Sequence, residues 1–208
     1  MGVVGWAKRL PDHRRSRPLL LAILVFLAVI TPGCKPFNVK PRVQVPGAAN
    51  GARAEANGVT IVASVIRDED WLNDTFDANL ILAGIVPVRV ELKNATQLQM
   101  DLSKVRFELK TEHGQRFGAV DSERAFKQAL SFYELSAWSK TLYKESRADF
   151  VSYGLDTKTP AAAGESRIGL VFFLVPGGGA FARGFTLVAS KLPDTTNKHE
   201  GRVEVKMD

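Results

Sequence analysis

From residue 59 to the C-terminus the chain repeatedly alternates apolar and polar side chains with a period of two. That pattern puts one face of a β-strand into a core and the other into water. It is clearest at Val105, Phe107 and Leu109, separated by Arg106, Glu108 and Lys110. Val86, Val88, Val90 and Leu92 alternate in the same way with Pro87, Arg89 and Glu91, giving a half-buried strand with a proline of the kind tolerated at a sheet edge. Residues 59–66 are a β-branched run, and Glu112-His113-Gly114 is a turn into a short strand around Arg116 and Phe117. Residues 168–175 are apolar on both faces, as a central strand requires, and the sets Phe185, Leu187, Ala189 and Val203, Val205, Met207 supply two more strands.

One segment breaks this period. Phe126, Leu130, Tyr133 and Ala137 fall in steps of four, three and four, Trp138 and Leu142 extend the stripe, and Asp121 or Ser122 can cap its first turn. The expectation is a mainly β protein, an antiparallel sandwich of six to eight strands, with a helical insertion over about 121–148 that covers an open face or end of the sheet pair. The stretch Val88-Arg89-Val90-Glu91-Leu92-Lys93-Asn94, with Gly169-Leu170-Val171-Phe172 and then Val175-Pro176, resembles the immunoglobulin-like sandwich domains of secreted bacterial proteins that carry no assigned activity. The resemblance implies an immunoglobulin-like sandwich and, by analogy, a binding or scaffolding role.

The N-terminal region has a different character. Lys8, Arg9, Arg14, Arg15 and Arg17 face a single acid, Asp12, and precede an apolar run over 19–30 that ends in Thr31-Pro32-Gly33-Cys34. Crossing a bilayer as a helix takes about 20 apolar residues, so the run matches the roughly 7–15-residue apolar region of an export signal better than an anchor. Gly33-Cys34 resembles the lipobox of bacterial lipoproteins, in which the cysteine is acylated on sulfur and becomes the new N-terminus. Thr31 and Pro32 depart from that family's usual aliphatic and small residues. The resemblance implies a signal peptide over 1–33 and lipid attachment at Cys34, the only cysteine of the chain. Lys35 after the cysteine implies, by likeness to enteric sorting, an outer-membrane position facing the periplasm in a host with two membranes. Residues 34–57, rich in Pro, Gly, Ala and Asn, are expected to form a disordered tether with an end-to-end distance of roughly 25–30 Å, ahead of a β-sandwich domain at 58–208.

The leader carries five of the 28 basic residues and one of the 22 acidic ones, so a net charge of +6 falls to +2 in the mature chain. A nucleic-acid partner is not expected, because the remaining bases alternate with acids along the strands. With Cys34 alone, the domain has neither an internal disulfide nor a thiolate metal site and relies on apolar burial.

Motifs with chemical potential each have a plainer reading. Asp68, Glu69, Asp70, Asp74 and Asp77 offer oxygen ligands, but Leu72 and the lack of a glycine break the calcium-loop spacing, leaving a solvated loop pinned by Trp71, Leu72 and Phe76. Gly177-Gly178-Gly179 with Ala182 is followed by a strand where pyrophosphate binding needs a helix, so it is expected to be a hairpin loop. Gly164-Glu165-Ser166 misses a nucleophile elbow because the closing glycine, Gly169, comes one residue late. His113 and His199 lack zinc-site partners, and the sequons at Asn73 and Asn94 are expected to be coincidental. No cofactor, metal or catalytic residue is expected.

The segment holding Tyr133, Trp138, Tyr143, Lys140 and Lys144 is the candidate interaction surface for another envelope protein, a glycan or lipid headgroups; its plainer reading is rings packed on the sandwich with bases reaching outward. Function is therefore expected to be non-catalytic binding or scaffolding by a membrane-anchored envelope lipoprotein. The second class is a carrier of a lipid or other apolar ligand between the sheets and the helix, and the third an enzyme.

Overall fold

Asn57 and Gly58 both take left-handed backbone, with φ of 55° and 73°, and this two-residue turn folds the chain back so that Ala56 sits opposite Val59. A type I′ hairpin turn requires positive φ at both central positions, and Asn-Gly meets that requirement with little strain. The computed structural model of the chain describes residues 37–47, 51–135, 140–177, 184–193 and 201–207. The strands are β1 (Ala52–Ala56), β2 (Val59–Val65), β3 (Ile85–Asn94), β4 (Arg106–Lys110), β5 (Arg116–Val120), β6 (Ser166–Leu174), β7 (Phe185–Leu192) and β8 (Gly201–Met207). They join antiparallel in the order β1-β2-β3-β6-β5-β4-β7-β8.

Read in chain order from β2, the sequences β2-β3-β6-β5 and β4-β7-β8 are the A-B-E-D and C-F-G sheets of an immunoglobulin sandwich. β5 belongs to both sheets: Arg116, Phe117 and Gly118 pair with β4, whereas Ala119 and Val120 pair with β6. β1 is an added edge strand that lies beside β8, so the sheet nearly closes on itself. The two inner faces meet in a core containing Val88 and Val90 of β3, Leu109 of β4, Phe173 of β6 and Leu187 of β7.

β6 is apolar on both faces because it separates two cores. Val171 and Phe173 face the sandwich interior, while Leu170 and Phe172 face a second cluster on the outside of β3 and β6. Three helices cover that outer face: α1 (Glu69–Phe76), α2 (Ser122–Phe132) and α3 (Lys140–Ser152). Asp68 caps α1 by accepting from the Trp71 amide at 2.9 Å, and Asp121 caps α2 by accepting from the Arg124 amide at 2.7 Å. The ring of Phe150 stacks on Phe172 at 5.2 Å and lies 5.0 Å from Phe76 and 5.5 Å from Phe126. The helical insertion thus covers a sheet face as expected, and it extends further, to Ser152.

Four local expectations are corrected. Residues 34–57 are not a tether throughout. Val39 and Val45 are buried, Lys40 N–H donates to the Thr75 carbonyl at 2.9 Å, Val43 N–H donates to the Tyr153 hydroxyl at 3.1 Å, and residues 52–56 form β1. The bonds that hold this segment come from residues up to 126 positions away, as with Arg42 and the Ile168 carbonyl, so no local period marks it. The acidic stretch is the helix α1 and not a loop; its Leu72 and Phe76, at the i, i+4 spacing, are both buried. Pro87 stands in a central strand. Its carbonyl accepts from Ile66 just past the end of β2, so its nitrogen points to the same unpaired side and removes no bond from the β3–β6 ladder. The glycine run at Gly177 is not a hairpin loop, because β6 and β7 belong to different sheets; Gly178, Gly179 and Ala182 lie outside the described residues.

The helices lie on the outer face of the sandwich, with aromatic rings filling the interval between them and the sheet.

Candidate binding groove

The switch of β5 from β4 to β6 opens a wedge on the side of the sandwich. Gly118 sits at the switch, consistent with a glycine inside a strand marking a bend. Beyond it β4 and β6 diverge, and the space between them is roofed by the start of α2, the end of α3 and residues 154–158. The resulting open groove has a volume of about 1210 Å³. Its apolar lining includes Val105, just before β4, Phe107 of β4 and Val171 of β6.

Close packing fixes the groove's wall. Leu155 N–H donates to the Leu170 carbonyl at 3.0 Å, and Leu170 N–H donates to the Tyr153 carbonyl at 2.7 Å, so residues 153–155 run along the free edge of β6. Gly169 permits this approach: a Cβ there would lie 2.5 Å from the Leu155 Cα.

The rim carries both signs of charge, and most of those groups are already engaged. Arg42 donates to the Ser152 and Ile168 carbonyls, each at 2.6 Å. Glu123 pairs with Arg147, and with Lys127 at 3.6 Å; the Arg147 hydrogen bond chiefly holds its carboxyl below the usual range. Asp156 accepts from the Thr159 hydroxyl at 2.5 Å and the Lys158 amide at 2.9 Å, and the hydroxyl bond is the main cause of its lowered pKa. Arg124 and Lys158 also line the rim, and among the described residues their side chains make no ion pair.

The candidate surface drawn from the sequence lies elsewhere and divides in two. Tyr133 is half-buried, donates its hydroxyl to the Asn79 carbonyl at 2.9 Å, and has its pKa raised by burial. Tyr143 packs on Phe126 at 5.6 Å. Both tyrosines therefore belong to the second core, and Lys144 is exposed. Cys34, Trp138 and the side chain of Lys140 lie outside the described residues. Among the described residues of this region, Phe132, adjacent to Tyr133, is an exposed ring, at 49%.

The remaining motifs fall apart in space or turn structural. His113 is exposed and meets Glu112 at 3.5 Å, and His199 lies outside the described residues. Glu165 is held by Arg167 at 2.6 Å, and Ser166 begins β6. The acids of α1 gather with no third ligand, and among the described residues no group of three His, Cys, Asp or Glu side chains could hold a metal. Asn94 is fully buried. Its amide donates to the carbonyls of Leu98, Ala161 and Ala162 at 2.8, 3.2 and 2.9 Å, and its oxygen accepts from the amide and hydroxyl of Thr96. That sequon is a loop clamp and closed to modification.

No family model matches the chain, and no curated protein matches it. Among solved structures it is similar to the yjhA protein from Bacillus subtilis, at 15% identity and a TM-score of 0.40, over 76% of this chain and 97% of that one. It is also similar to an uncharacterized β-sandwich protein from Clostridium difficile 630, at 11% identity and a TM-score of 0.33, over 81% of this chain and all of that one.

Proposed function

We propose that the protein is a lipid-anchored lipoprotein of the cell envelope whose immunoglobulin-like domain is a non-catalytic binding module. The observation that carries this reading is the order of parts: a basic and apolar leader, a single cysteine at position 34, and a packed domain after it, with Phe37 against Phe126. Acyl chains contribute about 0.8 kcal/mol per buried CH₂, so two or more hold a soluble domain at a bilayer durably. Lys35 favours the outer membrane, facing the periplasm, in a host with two membranes. The groove supplies the binding part. It has an apolar lining, ionised carboxylates already spent on local bonds, and, among the described residues, Arg124 and Lys158 without an ion pair, which suits an extended acidic segment of another envelope protein.

Intact-mass spectrometry of protein from its native host tests the anchor: an acylated N-terminal cysteine is expected, and an unmodified thiol overturns the reading. A photo-crosslinker at Arg124 or Lys158 tests the groove. A protein adduct from these positions but not from Gln97, at the end of the sandwich, is the expected result; equal labelling from all three refutes it.

A further inference from the structure

We propose that the end of the helical layer carrying Leu82 and Phe132 rests on the bilayer that holds the acyl chains of Cys34. The inference depends on the lipoprotein reading above and adds an orientation to it.

Three observations converge on that end. The first is the direction in which the chain enters the fold. Val39 N–H donates to the Ser146 hydroxyl at 3.4 Å and Val43 N–H to the Tyr153 hydroxyl at 3.1 Å, so residues 39–43 run parallel to α3. Phe37, the upstream end of this run, therefore lies toward the start of α3, on Phe126, which also meets Tyr143. The second is length. Three residue steps separate Cys34 from Phe37, and a fully extended chain covers at most about 3.6 Å per residue, so the two Cα atoms are within ~11 Å, and the Phe37 ring packs 6.0 Å from Phe126.

The third observation is what that end displays. α2 and α3 are antiparallel, since Gly154, just past the end of α3, lies against Ser122 at the start of α2 while Phe126, further along α2, reaches Tyr143 early in α3, so the last turn of α2 lies toward the start of α3. That turn presents Phe132, 49% exposed. Gln128 donates to the Ala83 carbonyl at 3.2 Å and Tyr133 to the Asn79 carbonyl at 2.9 Å, which fixes the turn holding Leu82, 55% exposed, at the same end. A ring and a leucine held out of the fold are parts that enter the headgroup layer. A bilayer fastened at Cys34, whose Cα lies within ~11 Å of the Phe37 Cα, is the occupant these side chains meet first.

The test uses the full lipoprotein, purified from its host and reconstituted into phosphatidylethanolamine and phosphatidylglycerol vesicles containing nitroxide-labelled lipid. Leu82→Cys, Phe132→Cys and Gln97→Cys are each labelled with a thiol-reactive fluorophore. Gln97 follows the ten-residue β3 and Leu82 precedes it, so the two lie about 30 Å apart along the sandwich. Several-fold stronger quenching at 82 and 132 than at 97 is expected. Equal quenching at all three sites, or stronger quenching at 97, overturns the orientation. An acylated Cys34 has no free thiol, so one dye per chain means the anchor holds and two dyes per chain means the lipoprotein reading has failed.

Discussion

Replacing Phe150 by Ala asks whether the helical layer is part of the folded unit or an attachment to it. The ring is fully buried and lies within 5.5 Å of Phe76, Phe126 and Phe172, contributed by α1, α2 and β6. Burying such a side chain stabilises by about 1.5–3 kcal/mol through area alone, and aromatic pairs add about 0.5–1.5 kcal/mol each. Three helices meet at this point and cannot all collapse into the gap, so the cost belongs in the measured Phe→Ala range of about 3–5 kcal/mol. Domains are stable by about 5–15 kcal/mol in total, so the loss is a large fraction of the whole. At ~2–4 °C per kcal/mol for a domain of this size, Tm should fall by at least about 6 °C. The assay is urea unfolding followed by both tryptophan fluorescence and far-ultraviolet dichroism. One coincident transition at lower urea, with the slope retained, is expected, because Phe172 belongs to a strand whose other face lines the sandwich core. A helix signal lost before the sheet signal, or a midpoint change equivalent to under 1 kcal/mol, would refute a shared core.

Asn94→Ala should cost about 1–3 kcal/mol, because the fully buried side chain loses its bonds to the Leu98, Ala161 and Ala162 carbonyls, each of which keeps a second donor, and the Thr96 amide loses its acceptor; chemical denaturation reads it, and a neutral result removes the clamp from the account. Gly169→Ala should lower Tm by several degrees through collision with the Leu155 backbone, whereas Gly118→Ala, with open space around its Cβ, should leave Tm nearly unchanged. Glu165 and Asp156 titrate below their usual 4.5 and 3.8, held mainly by Arg167 and the Thr159 hydroxyl respectively. The unfolded chain then binds more protons, so the stability they contribute is present above those values and lost as pH falls through the lower folded ones; Glu165→Gln with Asp156→Asn should flatten the urea midpoint between pH 5 and pH 2, and an unchanged slope would count against the loop network.

Period two announced the strands with one face buried, Val105, Phe107 and Leu109 for β4 and Val203, Val205 and Met207 for β8, while β6, buried on both faces, was legible as an unbroken apolar run. β1 was not, because its inward positions are Ala52, Ala54 and Ala56, too small to stand out, although Asn57-Gly58 is a hairpin signal that could have found it. α1 hid behind its acids: Leu72 and Phe76 mark its apolar face, and about two turns are too short to display a period. The groove had no local signature. Val105 and Val171 reach it from positions 66 residues apart in sequence, and only a crossing of β5 between sheets, hinted at by Gly118, brings them together.

The second core also explains why the candidate aromatic surface and the groove are different places. A sandwich of this kind usually leaves its outer faces to solvent, but here Leu170 and Phe172 make the outer face of β6 apolar and demand a cover. The cover recruits Tyr133, Tyr143 and Phe126, which removes their rings from the surface, and it places the start of α2 and the end of α3 beside the gap left by β5. Insertion between β5 and β6 thus does two things with one segment: it completes the core, and it gives the gap a roof that carries Arg124. Shortening α3 at its C-terminal turn, where Ser152 accepts from Arg42, should therefore disturb groove crosslinking and the seating of residues 39–43 together, and separation of the two effects would show that the roof and the entering chain are independent.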